Sequence, residues 1–119
     1  MKKTILSSLI ALSAVGFAST ALAADAQCGL SNGKAAIGAP IKVGGIYGNA
    51  APGDFSSATD AAAAYCNCVN ENGGVHGRPI EYMVENDQWN PELAAQAAAK
   101  LVKDENVVAM VGNSSFVEM

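Results

Sequence analysis

Aromatic residues and charges are both scarce in this 119-residue chain: Phe, Trp and Tyr make up 6% of it, and Asp, Glu, Lys and Arg 15%. With half of its residues hydrophobic, the composition excludes a disordered polypeptide and fits one soluble globular domain, or part of one. The chain has one histidine, His76, and it lies in a glycine turn, where a solvated loop residue is far more frequent than a general base. No nucleophile and base stand at a spacing that suggests catalysis. The phosphate-cradling patterns G-x-G-x-x-G and G-x-x-x-x-G-K-[ST] are missing. Gly44-Gly45-Ile46-Tyr47-Gly48 reads as a glycine loop but lacks their spacing. No nucleotide cofactor is expected.

What is present begins with an export signal. Met1-Lys2-Lys3 is a short basic start, an apolar stretch follows, and Ala21-Leu22-Ala23 ends it as a small-x-small cleavage site. A membrane anchor is the alternative, because Ile5 to Ala24 is nearly long enough to span a bilayer. The serine and glycine content and the Ala-x-Ala end favour a signal peptide over residues 1–23. Removing Lys2 and Lys3 leaves five basic residues against eleven acidic ones, 5 − 11 = −6. That balance argues against nucleic acid or an anionic membrane as partner and leaves a small polar or zwitterionic ligand open.

Three cysteines follow: Cys28, Cys66 and Cys68. The residues before Cys28 do not fit a lipid-modified amino terminus. In an oxidising compartment Cys28 can bridge to Cys66 or to Cys68, tying the leader to the first helix and leaving one thiol. Residues two apart on a helix point about 200° apart, so Cys66 and Cys68 make a poor metal pair.

Residues 24–40 show no apolar period and read as a leader that is mobile unless a cysteine holds it. "IKVGGIY" alternates and carries β-branched residues, predicting a first strand, and "GNAAPGD" a loop. From Asp54 or Ser56 to Glu71 the spacing predicts a helix with Ala58, Ala61, Ala62, Tyr65 and Val69 as its buried stripe. Asn72-Gly73-Gly74 ends it, and "IEYMVEN" is a second strand. Asn90-Pro91-Glu92 supplies a side-chain cap, a proline at the first helical position and an acid at the positive helix end. The second helix is expected to run to about Glu105, burying Ala94, Ala97, Ala98 and Leu101. "VVAMVG" is apolar throughout, as a central parallel strand covered on both faces would be. Strand, helix, strand, helix, strand with right-handed crossovers makes a parallel Rossmann-like α/β sheet, half of a doubly wound domain.

Ligands of such sheets collect at the carboxyl ends of the strands. Asn86-Asp87 falls there, with Asp87 either part of a site or a cap of the next helix. Asn113-Ser114-Ser115 falls there too. If a helix begins at that point, its N–H groups and the two hydroxyls would converge on an anion such as a carboxylate; alternatively one serine only caps that helix.

The run "IKVGGIYGNAAPGD", then "AAAAYCNCVNENGGVHGRPIEYMVENDQWNPELAAQAAAKLV", then "VVAMVGNSS" resembles the amino-terminal lobe of the type I periplasmic binding proteins. These are the branched-chain amino acid (leucine/isoleucine/valine) and amide-binding components of ABC importers. The resemblance covers 41 to about 115, and its most specific part is the N-x-x-GG-V-x-G-R turn followed by an acid and an N-P helix start. It implies reversible capture of a small solute between two lobes and delivery to an ABC permease in the inner membrane, with no catalysis and no cofactor. It implies that Ser114 and Ser115 hold the ligand's carboxylate and that Asp54 and Phe55, in the loop after the first strand, make a second contact. Asp54 stands where some relatives have tyrosine, which departs from the pattern for an aliphatic amino acid. Family members carry a second lobe, so residues 41–119 are expected to be a partial lobe, marginally folded alone and unable to close on a ligand. A periplasmic sensor built on the same lobe is the alternative function, and an exported α/β enzyme a more remote one.

Overall fold

β1 (Ile41–Tyr47) runs through the middle of a three-stranded parallel sheet, with β4 (Ile80–Asn86) on one side and β5 (Ala109–Met110) on the other. The computed structural model that shows this describes residues 27–115; the predicted signal peptide, residues 1–23, lies outside them. The sheet pairs Ile41 with Ile80 through to Tyr47 with Asn86, and Gly44 with Met110. β2 (Asn49–Ala50) and β3 (Gly53–Asp54) form a small antiparallel hairpin whose turn contains a cis Ala51–Pro52 peptide. The helices are α1 (Ser57–Glu71) and α2 (Pro91–Ala99), and α2 continues into a π-helical turn, Lys100–Asp104. The mixed α/β order is the one the sequence predicts.

Among the described strands the central position goes to β1, where the sequence reading expects the apolar "VVAMVG" segment to be central. Among the described residues that segment lies at the edge of the sheet, with Ala109 and Met110 in register with β1, the N–H groups of Val108 and Val111 donating to the Lys42 and Gly44 carbonyls, and the Val108 and Val111 side chains exposed. An unbroken apolar run marks a strand fit to be covered on both faces, but strand order is set by pairing between distant residues. The two glycines of β1 lie inside the strand, buried, and form no loop. Each makes room for a neighbour on its own face. Tyr82 crosses over Gly45 and donates from its hydroxyl to the Val111 carbonyl at 2.7 Å, and a Cβ at Gly45 would collide with that hydroxyl. Beneath Gly44 lie Met110 and Leu101.

On that second face Ile46, Ala97 and Leu101 form the buried core, flanked by Met83, Ala98, Val107 and Met110. Ile46 and Leu101 are almost wholly removed from water, each contributing about 2 kcal/mol of apolar burial. The predicted apolar face of the second helix is the one observed. That of α1 is met only in part: Val69 is buried and Ala62 half-buried as predicted, but Thr59 and Cys66 fill the rest of the buried stripe, whereas Ala58 and Ala61 are exposed and Tyr65 is 60% exposed. In a helix this rich in alanine several stripes have nearly equal hydrophobicity, so packing against β4 selects the stripe.

The N-terminal end of the sheet is stitched by side chains. Asn70 mimics a strand partner, donating to the Ile80 carbonyl at 2.8 Å and accepting the Ile80 N–H at 2.6 Å. Arg78 donates to the carbonyls of Ala39 and Pro40, fixing the chain as it enters β1. The leader is held as well: Cys28 is disulfide-bonded to Cys68, Leu30 N–H donates to the Asn72 carbonyl, and Ala36 N–H to that of Asn70. Of the two partners open to Cys28 the structure selects Cys68, leaving Cys66 as a buried thiol that burial pushes up from its ordinary pKa.

Candidate functional site

Three chain segments leave the sheet at its C-terminal end, and Gly48 is where they meet. Its N–H donates to the Ser114 carbonyl at 2.9 Å, and its own carbonyl accepts the Phe55 N–H at 3.0 Å. One residue therefore brings together Ser114 and Phe55, 59 positions apart in sequence (114 − 55). The ladder runs on past the strands: Ser114 N–H donates to the Ile46 carbonyl and Asp87 N–H to that of Tyr47. The side chain of Asn113 accepts the Ile46 N–H at 2.9 Å. Gly48 also lies directly under the indole of Trp89, so close that a Cβ would enter the ring. Trp89 in turn meets Phe55 edge to face, 4.7 Å between centroids at 89°.

Trp89 reaches that position through backbone strain. Gln88 and Trp89 are consecutive non-glycine residues in the left-handed region, φ 53° and 55°, a conformation that costs about 1–2 kcal/mol per residue. Two side chains hold the turn. Asn86 accepts the N–H groups of Gln88 at 2.9 Å and Asn49 at 3.0 Å; Asp87 accepts the Trp89 N–H at 2.8 Å. The other carboxylate oxygen of Asp87 accepts the Ser115 hydroxyl at 2.5 Å, with Asp87 fully buried and Ser115 nearly so. Asp87 does not cap α2. That work is done by Asn90, which accepts from Glu92 N–H and Leu93 N–H, as the sequence predicts.

The four residues expected to touch ligand thus have different standings. Phe55 is 48% exposed and meets Trp89 edge to face, and Asp54 is exposed, its carboxylate accepting the Ser56 N–H at 2.9 Å. Ser114 is half-buried with its N–H and carbonyl both used by the ladder, so its hydroxyl is the polar group it can turn to a solute. The Ser115 hydroxyl proton is directed at Asp87. The expected convergence of N–H groups and both hydroxyls on an anion is therefore narrower here: the Ser114 N–H and the Ser115 proton are engaged inside the protein. Trp89 and Gly48 belong to the same cluster and sequence reasoning passed over them. The signal that could have marked Trp89 is the Asn86-Asp87 pair before it, two residues suited to hold a tight turn.

A hollow of about 300 Å³ borders the cluster on the β2–β3 hairpin, lined by Asn49, Ala50, Pro52 and Asp54 among others. A larger one, about 450 Å³, lies at the opposite end of the strands around Lys42, Arg78 and Glu105. Its charged groups are already engaged, Lys42 with Glu105 at 3.0 Å and Arg78 with leader carbonyls. The C-terminal end is the better candidate, because its exposed aromatic and polar groups converge where parallel sheets bind solutes.

Residues 40–119 match the family model described as "Periplasmic binding protein". The chain belongs to the type I periplasmic binding protein family. It is also similar, at 31% identity over 82 residues, to the "Chemotactic signal transduction system substrate-binding protein BasB" of Halobacterium salinarum. That match covers 63% of this chain and 19% of the archaeal protein, so the chain spans about a fifth of that relative's length. No solved structure matches the chain. The parallel order of the sheet fits a fragment of a lobe of that family, and parallel sheets in general take ligands at the C-terminal ends of their strands.

Proposed function

We propose that this chain is part of the substrate-binding component of an ABC importer, a component that works in the periplasm after removal of residues 1–23. It captures a small polar or zwitterionic solute, an amino acid or amide, by binding without catalysis, and presents it to a permease in the inner membrane. The observation that carries this reading is the meeting of Ser114, Asp54–Phe55 and Trp89 around Gly48 at the C-terminal end of the sheet. In this arrangement the Ser114 hydroxyl and the aromatic pair face the solute, with Asp54 at the rim to attract a positively charged group. The mature chain's net charge of −6 (5 − 11) disfavours polyanionic partners.

A second reading draws on the name of the archaeal relative, a substrate-binding protein of a chemotactic system. Here the loaded protein would engage a membrane receptor that signals. The two readings share the capture step and differ in the partner. Capture is tested by the melting temperature of the chain purified from periplasm, measured against a panel of amino acids, amides and urea. A ligand that binds the native state raises it, and no shift with any of the panel rejects both readings. Uptake of the active solute by cells lacking the gene then separates them: uptake should fall if the partner is a permease and stay normal if it is a receptor.

A further inference from the structure

Asp87 is the most deeply buried charged residue described, at 0% exposure, and among the described residues no lysine or arginine pairs with it. A carboxylate removed from water is costly unless hydrogen bonds replace its hydration. Its two oxygens are used on two different loops: one takes the Trp89 N–H from the turn after β4, the other the Ser115 hydroxyl from the segment after β5. Between those loops runs the end of β1, to which Asp87 is also tied through its own N–H and the Tyr47 carbonyl. Asp87 thus spans all three strand ends beneath the cluster without itself reaching the surface.

What each bond does is specific. The bond to Trp89 sustains a left-handed turn that the side chains of Gln88 and Trp89 disfavour, and that turn lays the indole on Gly48 and against Phe55. The bond to Ser115 anchors the residue that follows Ser114, limiting how far the Ser114 hydroxyl can swing. Strained backbone of this kind persists only where its surroundings hold it, and it gathers at sites that need a fixed geometry.

We propose that Asp87 is a positioning residue for solute capture: it sets the Trp89–Phe55 pair and the Ser114 hydroxyl in register with one another before any solute arrives. The proposal rests on the solute-binding reading above and adds to it a residue that touches no solute. Preorganisation of this kind shows in affinity, because a solute then has less ordering to impose on the site.

The test uses the full chain and the emission of Trp89, its single tryptophan. L-leucine, acetamide and urea at millimolar concentration serve as separate probes. Asp87→Asn keeps the shape of the side chain but weakens its acceptance of the Ser115 proton; Ser115→Ala removes the same bond from the other side, should the first variant fold poorly. Each is expected to weaken binding of the active probe tenfold or more while the melting temperature stays within a few degrees. The double variant should be no weaker than the weaker single, because both changes break one bond. Asp87→Ala, measured without any solute, should also leave Trp89 more open to acrylamide quenching. Wild-type binding that Asp87→Asn leaves within twofold overturns the positioning role alone, as does unchanged quenching in Asp87→Ala. A wild-type chain that binds none of the three probes counts against the solute reading and the role built on it.

Discussion

The two ends of the sheet are both sewn together by side chains bonding to backbone, yet they differ in what the sewing achieves. At the N-terminal end Asn70, Arg78 and the Cys28–Cys68 bridge fasten strand and leader segments in which left-handed non-glycine residues, Ser31, His76 and Asn106, occur only singly, and the ion pair Lys42–Glu105 is closed on itself. At the C-terminal end Asn86 and Asp87 hold two consecutive left-handed residues, and the result is an exposed aromatic pair beside a half-buried serine. One end spends its hydrogen bonds on stability. The other spends them on keeping a costly shape, as a binding site requires. The N-x-x-GG-V-x-G-R turn that carries the resemblance most specifically belongs to the first kind: its Asn70 and Arg78 join α1 to β4 and to the entering chain, at the end of the sheet opposite the candidate site.

That contrast can be broken by substitution. The largest effect is expected from replacing Cys28 and Cys68 together by serine. The bridge closes a separation of 40 residues, for which chain entropy gives about 4 kcal/mol, and the midpoint of urea unfolding should fall accordingly. Trp89 emission in the folded protein should not change, since the bridge lies at the other end; a changed emission would mean that the two ends are coupled.

Asn70→Ala comes next. It leaves both backbone groups of Ile80 without their partner, a loss of about 2–3 kcal/mol, measurable in the same way, again with no effect on solute affinity. Gly48→Ala should reverse the balance. Its Cβ must displace the Trp89 ring, costing about 1–2 kcal/mol in stability but shifting Trp89 emission and weakening binding of the active solute by more than either N-terminal change. If Gly48→Ala alters stability alone, the C-terminal end is not a preformed site and the contrast between the two ends disappears.

The order of elements was legible because its signals are local. The Asn90-Pro91-Glu92 start of α2, the glycine stop of α1 and the alternation in β1 each involve residues within a few positions of one another, and each stands where the sequence puts it. The buried face of α2 was legible for the same reason, a single stripe with one leucine at its end. The face of α1 was not, because alanine on every side leaves the choice to whatever the helix packs against. The candidate site was half legible: Asn113-Ser114-Ser115 and Asp54-Phe55 fall at strand ends by position in sequence, whereas Trp89 enters only through a turn that two hydrogen bonds hold against its own preference.

By itself, then, the sequence determined which segments are strands and helices, where they are capped, and that the family motif joins the first helix to the second strand. Capping, glycine stops and periodicity act over a few residues, and the chain carries them wherever it folds. The tertiary structure decided the rest: that among the described strands β1 lies between its neighbours, that Cys68 and not Cys66 meets Cys28, and that Asp87 faces Ser115 instead of capping a helix. Each of these is a pairing between distant residues, chosen by close packing and by the cost of leaving a buried polar group unsatisfied, and no short stretch of sequence contains both partners.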